Sequence, residues 1–131
     1  MTGTEPASRY TDLRRQEAIS PKVLYAVDAR SAPGSAVHDL DKLTAVTVAA
    51  VRAAAGHVLE SSHVVFPNGA ITLVLILAES HLSVHTWPEE NLVAIDLFSC
   101  GAIDGAEVVR RLVRDLRLEP AAVRELARGV P

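Results

Sequence analysis

A single cysteine, Cys100, stands in a chain of 131 residues, so no disulfide can close within it, which fits a reducing compartment. Aromatic side chains are scarce at 4%: Tyr10, Tyr25, Phe66, Trp87 and Phe98. Three of these five fall between positions 66 and 98, which makes that stretch the place to look for chemistry. There is no basic stripe. Net charge is −3, and the Arg14-Arg15 and Arg110-Arg111 pairs are short. The run from Arg110 to Arg117 reads as the solvated face of a helix, so no nucleic-acid partner is expected. Long hydrophobic runs are also missing. The longest, Ala70 to Ala78, contains Thr72 and is too short to span a bilayer. Residues 1–22 are polar and broken by prolines, so no apolar leader is expected there. A soluble, cytoplasmic protein with no membrane partner is the expectation. The length excludes a complete α/β barrel of about 250 residues. It also leaves little room for a deep pocket built by one chain.

Apolar residues at 49% and charged residues at 22% suffice for a packed core. Residues 1–21 read as a mobile tail and 22–131 as a single domain. Lys22 to Asp28 is a β run with Val23, Tyr25 and Val27 on one face, followed by a loop at Ser31 to Ser35. Asp39 can cap a helix from Leu40 to about Ala55, with Leu40, Leu43, Thr44, Thr47, Val48 and Val51 on one face and Gly56 as the stop. His57 to Phe66 reads as a strand, in which His57 and His63 are ordinary strand histidines. Pro67-Asn68-Gly69 reads as a tight turn. The apolar run Ala70 to Ala78 predicts a central strand buried on both faces. Glu79 to Asn91 is polar and is expected to interrupt regular pairing. Val93 to Phe98 alternates. Asp104 and Glu107 form a capping box for a helix reaching about Leu118, with Pro120 as its stop. A further turn could occupy the segment after it. The expected fold is α+β: a two-layer sandwich of an antiparallel sheet with helices on one face.

The dense segment is Glu79-Ser80-His81-Leu82-Ser83-Val84-His85-Thr86-Trp87-Pro88-Glu89. It follows an apolar strand, as a preorganised site requires. Three readings are open on residue chemistry. A serine hydroxyl such as that of Ser80 is a nucleophile if His81 or His85 serves as its base, although no third triad member and no G-x-S-x-G elbow is present. His81 and His85, four apart, would align as metal ligands on a helix, but Val84, Thr86 and Pro88 disfavour a helix and no Cys pair completes a site. The third reading is a polar loop that happens to contain histidine.

The run ESHLSVHTWPE closely resembles the signature of the prokaryotic S-adenosylmethionine decarboxylases, small pyruvoyl-dependent proenzymes. Phe66-Pro67-Asn68-Gly69 is similar to the family's F-x-P-x-G-type turn. Ala94-Ile95-Asp96-Leu97-Phe98-Ser99-Cys100-Gly101 is similar to its A-hydrophobic-D-hydrophobic-F-T-C-G strand, and Arg128-Gly129 to its R-G near the end. The resemblance is strong over residues 57–101 and absent over the first twenty or so. It implies self-cleavage between Glu79 and Ser80, giving a β chain of residues 1–79 and an α chain of residues 80–131 that opens on a pyruvoyl group made from Ser80. That group is the covalent cofactor that binds the substrate amine, and no metal is implied. By the same resemblance His85 is the processing histidine, Thr72 its hydroxyl assistant and Cys100 the proton donor in decarboxylation. Phe66 is the aromatic that stacks on adenine and Glu89 the acid on the ribose hydroxyls. Trp87 is a candidate pocket wall, and His81 and Ser83 are left as positioning residues. The small-molecule substrate is S-adenosylmethionine, consumed in spermidine synthesis. The implied assembly is a homodimer with active sites at the interface, which answers the lack of room in one chain.

The chain departs from the pattern after HTWPE. Glu90-Asn91-Leu92 stands where the family commonly has an aromatic-rich E-Y-G-Y stretch, and the region just after Asp28, where the family often has a cysteine, has Ser31 and none. The alternatives are a pyruvoyl decarboxylase of ornithine or arginine, which needs no adenine clamp, and an uncleaved, inactive α+β binding module.

Overall fold

The computed structural model describes Pro6 and residues 20–130. The expected tail over residues 1–21 therefore falls almost wholly outside the described residues. Eight regular elements follow in order: β1 (Lys22–Ser31), α1 (Leu40–Ala53), β2 (Val58–Val65), β3 (Ile71–Leu77), β4 (Ser80–Trp87), β5 (Leu92–Cys100), α2 (Gly105–Asp115) and β6 (Leu118–Arg128). The strands form one six-stranded sheet in the order β2-β3-β4-β5-β1-β6, with every neighbouring pair antiparallel. Helix α1 packs over β2 and β3, and α2 over β1 and β6 and against α1. The α+β sandwich with helices on one face is the observed architecture. Among the described residues no helix is long and apolar enough to cross a membrane.

The helices begin where the sequence places their caps. The Asp39 side chain accepts from the Lys42 amide at 3.1 Å, and that of Asp104 from the Glu107 amide at 3.1 Å. Glu107 does not complete a reciprocal box: its carboxylate takes Arg110 and Arg111 instead. The end of α1 differs from expectation. Ala55, at φ 67°, adopts the left-handed conformation, and Gly56 closes the turn by donating to Val51 O at 2.9 Å. Gly56 is required for closeness instead: a Cβ there would lie 2.6 Å from Val51 Cγ1 and 2.7 Å from Ile103 Cδ1.

The core lies between the helices and one face of the sheet. It is filled by Leu43, Val48 and Val51 of α1, Val108 and Leu112 of α2, and inward residues such as Leu73, Leu75, Leu82, Val84, Ile95 and Leu97. Strand β3 is interior to the sheet but buried on one side only. Ile71, Leu73, Leu75 and Leu77 are buried, whereas Thr72 and Val74 are half-buried and Ile76 is 43% exposed. Its run, apolar but for Thr72, thus serves two faces, of which this chain's helices cover one.

Two strands depart from the sequence reading. Glu79 to Asn91 does not interrupt pairing: Ser80–Trp87 is a full strand, paired with β3 from Thr72↔His85 to Leu77↔Ser80 and with β5 on its other side. Its inward residues Leu82, Val84 and Thr86 are buried while His81 and His85 look out from the opposite face. The second helix ends at Asp115, before Pro120, and Leu118–Arg128 is an edge strand rather than a turn. Proline is compatible with an edge strand, where its missing N–H leaves no internal ladder bond unmade. The register of β6 on β1 shifts at this point, between Asp28 and Ala29.

Candidate active site

The peptide between Glu79 and Ser80 sits at the tip of the β3–β4 hairpin, where Leu77 faces Ser80 across a turn made of Ala78 and Glu79. Ser80 has φ 134°. An L-residue there is strained, at a typical cost of about 1–3 kcal/mol, and such strain persists only where the surroundings over-determine it. The surroundings do so from both sides. Ser80 is registered on Ser99 of β5, and the Glu79 carbonyl accepts from the Cys100 amide at 3.2 Å and from Cys100 Sγ at 3.4 Å. Two donors on one carbonyl oxygen polarise it and stand ready for negative charge developing there, as in an oxyanion hole. Ser80 Oγ lies 3.9 Å from Cys100 Sγ. A hydroxyl, a polarised carbonyl one residue before it and a buried thiol are therefore gathered at one point.

The Glu79 side chain is buried at 1% exposure. Its carboxylate accepts from the His57 amide at 2.9 Å and meets His57 Nδ1 at 2.7 Å. The Ala78 amide donates to His57 O at 2.9 Å, so the turn is tied to one residue ahead of β2 by three bonds. His57 is the residue that reading the sequence as strand overlooked. No local signal marks it, because only the β2–β3 register carries position 57 to position 79.

A second cluster stands at the other end of β4. Thr72 Oγ1 and His85 Nδ1 are 3.3 Å apart, on neighbouring strands in register. The His85 and Trp87 rings are 6.4 Å apart and tilted by 40°. With Phe66, Pro67 and Asn68 from the β2–β3 turn, these residues line a groove of about 530 Å³. Phe66 is 47% and Trp87 38% exposed. Glu89, on a 3₁₀ turn at Pro88–Glu90, accepts from Asn68 Nδ2 at 3.2 Å beside the groove. His81 packs edge-on against Phe98, over which the Arg128 guanidinium also lies, 5.6 Å from the ring centre.

One chain thus brings Glu79, Ser80 and Cys100 together, and separately Thr72, His85, Phe66, Trp87 and Glu89. It does not bring the two sets together. Five residues of extended strand separate Ser80 from His85, roughly 16 Å at about 3.3 Å per residue. His85 is not within reach of the Ser80 hydroxyl of its own chain. Among the described residues no three His, Cys, Asp or Glu side chains converge so as to hold a metal ion.

Comparison with known proteins gives one consistent result. A family model described as S-adenosylmethionine decarboxylase matches residues 24–129. The S-adenosylmethionine decarboxylase proenzyme of Pyrococcus abyssi is 32% identical over 107 residues, covering 81% of this chain and 77% of that protein. The proenzyme of the same name from Parasynechococcus marenigrum is 40% identical over 89 residues, covering 67% of this chain and 69% of its own length. The crystal structure of the adenosylmethionine decarboxylase from Aquifex aeolicus shares the fold, with a TM-score of 0.68 over 86% of this chain and 93% of that one at 24% identity.

Proposed function

The chain belongs to the S-adenosylmethionine decarboxylase family, and we propose that it cuts its own backbone between Glu79 and Ser80 and then decarboxylates S-adenosylmethionine. The observation that carries this is the strained Ser80 beside a Glu79 carbonyl held by both donors of Cys100. Ser80 Oγ attacks the Glu79 carbonyl carbon, the C–N bond breaks, and the acyl group moves from nitrogen to oxygen. The two Cys100 donors stabilise the oxyanion of that step. A base then takes the Ser80 α-proton, the Cβ–Oγ bond breaks and Glu79 leaves as a carboxylate. The dehydroalanine left at position 80 tautomerises, and water releases ammonia to leave a pyruvoyl group at the head of residues 80–131. Once formed, its carbonyl supplies the electron sink that lets carbon dioxide leave the substrate. Cys100, buried beside position 80, returns a proton to the product carbon.

The base for cleavage is His85, oriented by Thr72, and it belongs to a second copy. An isologous pairing makes residue i of one copy meet residue j of the other and the reverse. In the pairing we propose, two exposed sheet faces stack about a two-fold axis that crosses β4 at right angles, which sets the His85 end of one β4 over the Ser80 end of its partner. The half-exposed Val74 and Ile76 are then covered, which explains why β3 is apolar on both sides. The groove between Phe66 and Trp87 receives the adenine and Glu89, braced by Asn68, the ribose hydroxyls. An aromatic-walled groove supports S-adenosylmethionine over ornithine or arginine as the substrate, and decarboxylation of S-adenosylmethionine feeds spermidine synthesis.

Intact-mass measurement tests the reading. The purified protein should give two fragments, 1–79 and 80–131, the second with a terminal carbonyl that reacts with a hydrazide. Ser80→Ala should stay whole. Carbon dioxide should be released from S-adenosylmethionine and not from ornithine or arginine. A chain that stays whole on prolonged incubation would falsify the proposal.

A further inference from the structure

We infer that His57 is a positioning residue for self-cleavage: by gripping the buried Glu79 side chain it holds the acyl residue still and keeps Ser80 in its strained conformation. This deepens the proposed processing and rests on it. Glu79 is the residue whose carbonyl is attacked, and it is fixed at two places. Its carbonyl oxygen is held from β5 by Cys100, and both carboxylate oxygens are held from ahead of β2 by His57, one by the backbone amide and one by the ring. The bond from Ala78 N to His57 O fixes the residue before it. With Glu79 pinned from one side of the hairpin and Ser80 registered on Ser99 from the other, the chain between them has one way to connect, and φ 134° at Ser80 is the result. If either anchor is released the turn can relax, and the carbonyl drifts from the hydroxyl that must reach it.

The backbone amide at position 57 is available from any residue except proline, so the part that needs histidine is the Nδ1 bond at 2.7 Å. An aspartate or glutamate there would repel Glu79, and a small aliphatic residue would leave water, entering where the 40% exposed ring had been, as the partner of Oε2 instead of a fixed donor. Ring Nδ1 donates as N–H to the carboxylate, and an asparagine side-chain amide can place an N–H in nearly the same position. The grip does not depend on cutting.

The test follows cleavage in time by intact mass for the wild type, His57→Ala, His57→Asn and Glu79→Ala. The melting temperature of each substitution is measured in the uncleavable Ser80→Ala background. His57→Ala, which frees the Glu79 carboxylate from the ring, and Glu79→Ala, which removes the gripped carboxylate, should each slow cleavage about tenfold or more because the acyl residue is no longer fixed, and His57→Asn should recover most of the wild-type rate. Melting temperatures of His57→Ala and His57→Asn should lie close together while their cleavage rates differ. Cleavage of His57→Ala at the wild-type rate would overturn the inference. So would His57→Asn being as slow as His57→Ala, with cleavage loss tracking the fall in melting temperature, because that is what a purely structural role predicts. A wild type that never cleaves sinks the processing proposal itself, and the two failures are distinct.

Discussion

Replacing Cys100 with alanine should separate two processes that use the same side chain. In cleavage, the sulfur is one of two donors on the Glu79 carbonyl, at 3.4 Å, and the backbone amide at 3.2 Å remains in the variant. A thiol is a weak donor, so its share lies at the low end of a hydrogen bond, about 0.5–1 kcal/mol. At about 1.4 kcal/mol per decade, cleavage should slow by only about two- to fivefold. In turnover, the same sulfur is the proton donor, and losing a positioned general acid removes about 10²–10⁴ in rate. The two rates should therefore diverge by roughly 20-fold or more. The assay is a time course of intact mass for cleavage, set beside carbon dioxide release from S-adenosylmethionine per mole of cleaved chain. Equal loss in both rates would show that the thiol acts on one shared step. Undiminished turnover per cleaved chain would show that the proton comes from elsewhere.

Three further outcomes are expected. Ser80→Ala and His85→Ala should each remain whole alone, but co-expressed they should cut the His85→Ala chain, since a mixed dimer rebuilds one complete site; mixed dimers that stay whole would exclude shared sites. Gly56→Ala forces a Cβ to 2.6 Å from Val51 Cγ1 and 2.7 Å from Ile103 Cδ1, an overpacking that should cost about 1–3 kcal/mol and lower the melting temperature by roughly 4–12 °C; an unchanged melting curve would contradict it. The Tyr25 hydroxyl titrates above its usual 10.0, raised by burial first and then by Glu125 and Asp104. A proton held more tightly in the folded chain stabilises fully below the unfolded value and is lost as pH rises through the folded one, so denaturant midpoints should fall above about pH 10, and less so in Tyr25→Phe.

How much was legible in the sequence depends on what each segment faces. Helix α1, the β2–β3 turn and β5 are readable because their apolar spacing and caps answer to one buried side. Strand β4 is not, because its outward residues His81, Ser83 and His85 make it look like a polar loop, although Leu82, Val84 and Thr86 keep the two-residue period underneath. Strand β6 is obscured by Pro120, which breaks a helix or a central strand and is tolerated at an edge. The candidate site residues were assigned roles through resemblance, not through residue chemistry: serine and histidine spacing alone left nucleophile, metal and loop readings open. The split of those residues between two ends of one strand, and the grip of His57 on Glu79, depend on sheet register, which no local pattern encodes.

The strand order has a consequence for the life of the cut protein. The break proposed after Glu79 leaves β1, β2 and β3 on one piece and β4, β5 and β6 on the other. In the sheet these do not lie side by side as two blocks: β1 runs between β5 and β6, so one piece grips a strand of the other from both edges. The product is two polypeptides but one sheet, and neither can leave without tearing out interior ladder bonds. Folding must therefore be finished before the cut is made. Diluting the cut protein should not separate the pieces, and two genes encoding them separately would have to weave together a sheet that the single chain builds in one piece.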